Sequence, residues 1–192
     1  MKQQPARLVV GMSGASGAPL TVALLLQLRD RHPEIETHLI VTHGAALTLA
    51  QETDLSLEDL RALASVSYEN GDIGAAPASG SFKTMGMIVV PCSMKTVAGI
   101  VSGYSDNLLL RAADVTLKER RKLVLAARES PLGTVHLRNL YEASQLGAVV
   151  VPPMLAYYNH PFSLEDCANH VVNRLLSQFD LDEGGYQWTG LE

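Results

Sequence analysis

Five apolar runs of strand length punctuate this chain, at Arg7–Met12, His38–Val41, Met85–Val90, Lys122–Ala127 and Ala148–Val151. None alternates apolar with polar residues, so each reads as a strand buried on both faces, as in a parallel sheet. Stretches of helix length separate them: Pro19–Arg31, His43–Glu52, Ser56–Ala64, Met94–Ser102, Asn107–Glu119 and Thr134–Gln145, with Ser163–Gln178 after the last run. Pro19 suits a first helical turn, and Ser56 with Asp59 resembles a capping box. Residues 70–81, rich in Gly, Ala, Ser and Pro, read as a loop. Strands alternating with helices predict an α/β fold. We expect a Rossmann-like or flavodoxin-like three-layer sandwich with a mostly parallel sheet. It forms one domain over residues 1–192, with an aperiodic tail from about residue 180.

Composition excludes several functions. The net charge of −5 argues against a general nucleic-acid binder. No run approaches the ~20 apolar residues of a membrane span. The N-terminus, with Lys2 and Arg7 flanking a strand, lacks a signal-peptide layout, so we expect a cytoplasmic protein. Cys92 and Cys167 form neither a disulfide framework nor a zinc spacing, and Cys92 reads as a small buried residue. His43, His136 and His160 have no ligand spacing.

In parallel α/β sheets, ligands sit beyond the carboxyl ends of the strands. Here the unusual residues follow strand ends: Ser13–Gly17, Thr42–His43, Cys92–Thr96, Arg128–Glu129 and Pro152–His160. The first group is a glycine turn, with Gly11, Gly14 and Gly17 three apart, between a strand and a helix. That geometry aims amides and a helix dipole at one spot and suits an anion. The spacing is not GxGxxG, and no acid ends the second strand, which disfavours a dinucleotide. Nor does it fit GxxxxGK[ST]. Close packing alone would also explain the glycines, and a mononucleotide phosphate is the functional reading. Ser93–Thr96 repeats the strand-to-helix geometry.

"GMSGASGAP", "GSFKTMGMIVVPCSMKTVAGI", "NLLLRAADVTLKERRKLVLAARESPL" and "PPMLAYYNHP" occur in that order. Together they resemble the UbiX family of flavin prenyltransferases, over about Arg7 to Arg174, and look closest to the branch encoded beside hydroxyarylic acid decarboxylases. The resemblance implies transfer of a dimethylallyl group from dimethylallyl phosphate to N5 and C6 of reduced FMN, without metal. The product, prenylated FMN, serves a UbiD-type decarboxylase. It also implies a homo-oligomer, a dodecamer, with sites at subunit interfaces.

By the same resemblance, Gly14, Ala15, Ser16, Thr42, Ser93, Met94, Lys95, Thr96 and Arg128 contact the flavin. Thr42 stands where the family more often has serine. Arg111, Lys118, Tyr158 and Arg174 surround the prenyl phosphate, although on residue type alone Arg111 and Lys118 read as a solvated helix face. Glu129 lies among them as a general acid, Ser16 near N5 relays a proton, and Glu52 is a second carboxylate near the flavin. Arg and Lys are natural phosphate partners. No DDxxD cluster is present for magnesium; Asp180, Asp182 and Glu183 lie in the tail.

Two alternatives stand beside this reading. One is an FMN-dependent cysteine decarboxylase, whose PxMN segment reads Pro153-Met154-Leu155-Ala156 here, with His43 at a plausible catalytic place. The other is a non-catalytic FMN-binding decarboxylase subunit.

Overall fold

The structure, a computed structural model, describes residues 5–181, 186 and 188–190. Lys2, Asp182 and Glu183 lie outside these. Six strands, all parallel, form one sheet: β1 (Ala6–Met12), β2 (Ile35–Val41), β3 (Val66–Glu69), β4 (Gly86–Cys92), β5 (Lys122–Ala127) and β6 (Val149–Val150). Among the described residues, seven α-helices flank it: α1 (Ala18–Arg31), α2 (His43–Glu52), α3 (Leu57–Ala62), α4 (Met94–Ser102), α5 (Leu108–Lys118), α6 (Thr134–Gln145) and α7 (Leu164–Leu176).

The strand order is β3-β2-β1-β4-β5-β6, which is doubly wound. One apolar core joins α1, α2, α3 and α7 to one sheet face through Leu8, Leu24, Leu39, Leu60, Ile88 and Val172. A second joins α4, α5 and α6 to the other face through Val9, Met87, Val97, Leu109, Leu125 and Ala143. Consecutive strand residues feed opposite cores, which is why the runs are continuously apolar. The expected three-layer sandwich is therefore present.

Two expectations need correction. The sequence reading has five strands, and the structure adds β3. Its four residues are half-buried or exposed at the sheet edge, so VSYE shows no buried-strand pattern. The third run does not stop before Pro91. Pro91 lies inside β4, at a register shift against β5 between Val89 and Cys92, where the sheet does not require its missing N–H. The Ser56–Asp59 pair is a full capping box: Asp59 N donates to Ser56 Oγ (3.1 Å) and Ser56 N to Asp59 Oδ2 (2.9 Å).

Residues 70–85 cross from β3 to β4 and cover a buried polar cluster. Arg7 donates to Glu36 (2.7 Å), and His38 Nδ1 meets the Tyr68 hydroxyl at 2.9 Å. Phe82 packs edge-on against His38 and lies under the Arg7 guanidinium. Arg121 anchors the segment through the Gly80 and Phe82 carbonyls. Burial pushes the His38 pKa below its ordinary value of 6.5, against the opposing pull of Glu36. The unfolded chain therefore binds a proton there more readily than the folded one. Stability from His38 is complete above about pH 6.5 and falls as pH drops through the lowered folded value. Urea unfolding at pH 7.5 and 5.5 checks this. The parent protein loses more midpoint on acidification than His38→Gln does, and equal losses would remove His38 from the account.

Candidate functional site

Strand order reverses between β1 and β4, and their loops leave toward opposite faces of the sheet. This opens the crevice in which such folds bind ligands. Ser13 fixes its floor. The Ser13 hydroxyl donates to the Pro91 carbonyl (3.0 Å) and accepts from Ser93 N (2.7 Å), tying the two loops together.

The glycine turn has two local reasons. A Cβ on Gly14 would meet the Gly44 backbone at 2.9 Å, so Gly14 lets the start of α2 pack directly on the turn. Gly17 caps α1 at φ 127°, a conformation that disfavours L side chains. No side chain of the cap residue satisfies the first amides of α1. Glu52, at the far end of α2, does so instead. Its Oε2 accepts from Gly17 N and Ala18 N, both at 2.8 Å. The anion predicted for this turn is thus the chain's own carboxylate. Burial raises the Glu52 pKa, but the Ser16 hydroxyl, the two amides and the Arg128 charge outweigh it and hold the group below its ordinary range. Glu52 is an ionised acceptor here, rather than the exposed helix-end charge its position suggests.

Two clefts meet at this turn. The larger, about 690 Å³, has Ser16, Glu52 and Arg128 at its polar end. Its other walls are mostly apolar: Pro19, Leu20, Leu155, Leu164, Ala168 and Val171, with Cys167. The second, about 410 Å³, is lined by Gly14, Thr42, His43, Ser93, Lys95 and Thr96, among others. The first residues of three helices converge on it. Thr42 caps Ala45 N, Ser93 caps Thr96 N and Asn107 caps Leu110 N. Among the described residues, no acidic side chain lines this cleft. Its donors and helix ends fit a phosphate, and its glycine wall admits a ribityl chain beside it.

A family model described as Flavoprotein matches residues 1–173. The flavin prenyltransferase UbiX of Escherichia coli K12 is 54% identical over 173 residues, covering 90% of this chain and 91% of that one. The chain belongs to the UbiX-like flavin prenyltransferases. A solved structure of AnUbiX (PadA1) in complex with FMN and dimethylallyl pyrophosphate is 48% identical, with a TM-score of 0.95 over 98% of this chain and 100% of that one. A dodecameric FMN-dependent UbiX-like decarboxylase from Escherichia coli O157:H7 is 53% identical, with a TM-score of 0.93 over 96% of this chain and 100% of that one. The FMN-dependent cysteine decarboxylase SpaF, at 17% identity and TM-score 0.63, shares the fold alone.

In this UbiX-like chain, the residues expected around the flavin gather at the two clefts. Met94 and Ala15 are the exceptions and line neither cleft: Met94 is buried in the core on the α4 face, and Ala15 is half-buried in the turn. Those expected around the prenyl phosphate do not gather. Arg111, one turn into α5, donates to the Ala78 carbonyl (3.2 Å) and pairs with Asp114 (2.6 Å). Lys118 ends α5 and pairs with Glu119 (2.8 Å). Lys118 lies ten residues beyond Leu108, the first residue of the eleven-residue α5, about 15 Å at 1.5 Å per residue. This carries Lys118 to the edge of the sheet opposite the clefts. Tyr158 and Arg174 belong to α7 and the loop before it, across the sheet from α5. The Tyr158 hydroxyl lies 3.2 Å from His170 Nε2, and its ring packs against Tyr186 and Trp188. Glu129, exposed, accepts from Ser130 N (3.0 Å). Among the described residues, no group of three or more His, Cys, Asp or Glu could hold a metal ion, and no helix is long and apolar enough to cross a membrane.

Asn70 and His170 are not among the residues that the sequence pattern marks, and Ser13, marked as part of the turn, gains its tie to Pro91 and Ser93 only from the structure. Asn70, whose Oδ1 accepts from Leu109 N (3.1 Å), directly follows β3, and because β3 carries no buried-strand pattern no strand-end signal marks it. Replacing Glu52 with alanine strands two amides at the start of α1. We expect a loss of about 1–2 kcal/mol in urea unfolding at pH 7, and an unchanged midpoint would contradict the capping role.

Proposed function

We propose that this chain joins a dimethylallyl group to N5 and C6 of reduced FMN, with dimethylallyl phosphate as donor, and that the prenylated flavin passes to a UbiD-type decarboxylase. The supporting observation is that an acid-free phosphate cleft and an apolar cleft ending in Ser16, Glu52 and Arg128 share one turn. The first suits the flavin phosphate, and the second suits the reacting ring and an apolar prenyl group. Reduced FMN supplies N5, which displaces the phosphate at the allylic carbon, and C6, which bonds to the prenyl double bond as that double bond takes up a proton and C6 gives up its own.

Each residue then has a defined task. Thr42, Ser93, Lys95 and Thr96 hold the flavin phosphate, with Met94 packed behind them. Gly14 and Ala15 let the flavin lie against the turn. Arg128 faces the ring. Glu52 holds the Ser16 hydroxyl, and that hydroxyl moves a proton at N5. Arg111, Lys118, Tyr158 and Arg174 neutralise the departing phosphate, and Glu129 gives it a proton. Because α5 and α7 lie on opposite faces of the sheet, one chain cannot assemble that set. Neighbouring copies complete it, as a homododecamer would allow. A non-catalytic flavin carrier would need no such set. The single domain, with no membrane-spanning helix among the described residues, fits a cytoplasmic enzyme.

Anaerobic incubation with reduced FMN and dimethylallyl phosphate tests the reaction. We expect a flavin heavier by one prenyl unit, and unmodified flavin alone would refute it. Glu129→Gln keeps FMN affinity within about twofold and slows adduct formation about 100-fold or more. Co-assembly tests the shared site. Lys118→Ala and Arg128→Ala are each inactive, and mixed oligomers recover up to about a quarter of parental activity. No recovery would place both residues in one chain's site.

A further inference from the structure

We propose that His43 is a further binding residue of the flavin site, a cationic contact to the FMN phosphate that strengthens binding as the pH falls. The proposal rests on the reading that this phosphate occupies the acid-free cleft. His43 is the first residue of α2 and lines that cleft together with Thr42, Ser93, Lys95 and Thr96. Gly44 packs its backbone against Gly14, so the start of α2 is held beside the turn and His43 cannot drift from the cleft. Among the described residues, neither the His43 ring nor the Lys95 ammonium makes a hydrogen bond or an ion pair, whereas most other basic side chains here are paired. Two unpaired basic groups thus face one cleft without an anion of the chain between them.

Helix position makes the contact conditional on ligand. A positive charge at a helix N-terminus is unfavourable, because it opposes the positive end of the dipole. An anion bound between that N-terminus and the ring reverses this balance. Histidines in general gain their charge between about pH 8 and pH 5. The groups that face His43 are few. Lys95 comes from α4, the β1 turn offers Ser13 and Gly14, the segment after β3 offers Asn70, and Asn107 comes from the start of α5. Asp106, next along, accepts from the Asn107 amide (2.8 Å) and lines the neighbouring cleft, which Lys95 borders as well. Glu52 lies at the other end of α2, turned to α1.

Flavin fluorescence titrations with FMN and riboflavin, at pH 6.0 and 8.0, test this on the full-length oligomer. Comparing variants at one pH cancels the phosphate's own ionisation. For His43→Gln we expect FMN binding about fivefold weaker than the parent at pH 6.0, less than twofold weaker at pH 8.0, and riboflavin binding unchanged. His43→Lys restores tight FMN binding at both pH values. Lys95→Met weakens FMN, but not riboflavin, at both. Parental FMN affinity in His43→Gln at pH 6.0, or an equal loss at both pH values, overturns the proposal. If Lys95→Met still weakens FMN selectively, the phosphate cleft itself stands. If neither variant distinguishes FMN from riboflavin, the placement of the phosphate falls, and the proposal with it.

Discussion

The Glu52 carboxylate on the Gly17 and Ala18 amides decides how the rest of this site can be used. A glycine turn between a strand and a helix offers an anion site, and in many α/β proteins a ligand phosphate takes it. Here a side chain from the end of α2 arrives first. It satisfies the amides that open α1, receives the Ser16 hydroxyl and faces the charge of Arg128. A second anion at the same place would meet a carboxylate in a partly buried corner, where like charges repel strongly. The N-termini of α2 and α4, on the other side of the turn, are left open and line a separate cleft, where we propose the phosphate binds.

That division explains the shape of the site. The turn Ser13–Gly17 is one wall with two sides. Its α1 side presents a hydroxyl, a carboxylate and an arginine to an apolar cleft. Its other side presents glycine backbone to a cleft rich in donors and free of acids. Ser13 bonds to Pro91 and Ser93 and holds the wall in register with β4. The remaining cationic groups sit on α5 and α7, separated by the thickness of the sheet. Our proposal that neighbouring copies complete the site rests on that separation.

Most of the fold was legible in the chain because its strands are buried on both faces. Runs such as LVVGM and KLVLAA carry that burial openly. Strand β3 was not legible, since its four residues lie at the sheet edge and include Ser67 and Glu69. Strand-end residues such as Ser16, Thr42, Ser93, Lys95, Thr96 and Arg128 line the two clefts, because a doubly wound sheet brings those loops together. The partners of those residues were harder to see. Glu52 caps a helix 34 residues earlier in the chain, and Gly14 owes its identity to Gly44. Both are contacts between elements, which local pattern does not encode. The placing of Arg111 and Lys118 on one face and Tyr158 and Arg174 on the other also depends on how α5 and α7 wrap the sheet.

A crystal structure of the FMN complex tests the central claim most directly. Glu52 should remain on the Gly17 and Ala18 amides, with the flavin phosphate between the N-termini of α2 and α4 and the ring beside Ser16 and Arg128. A phosphate seated on the α1 N-terminus, with Glu52 displaced from it, would contradict the account.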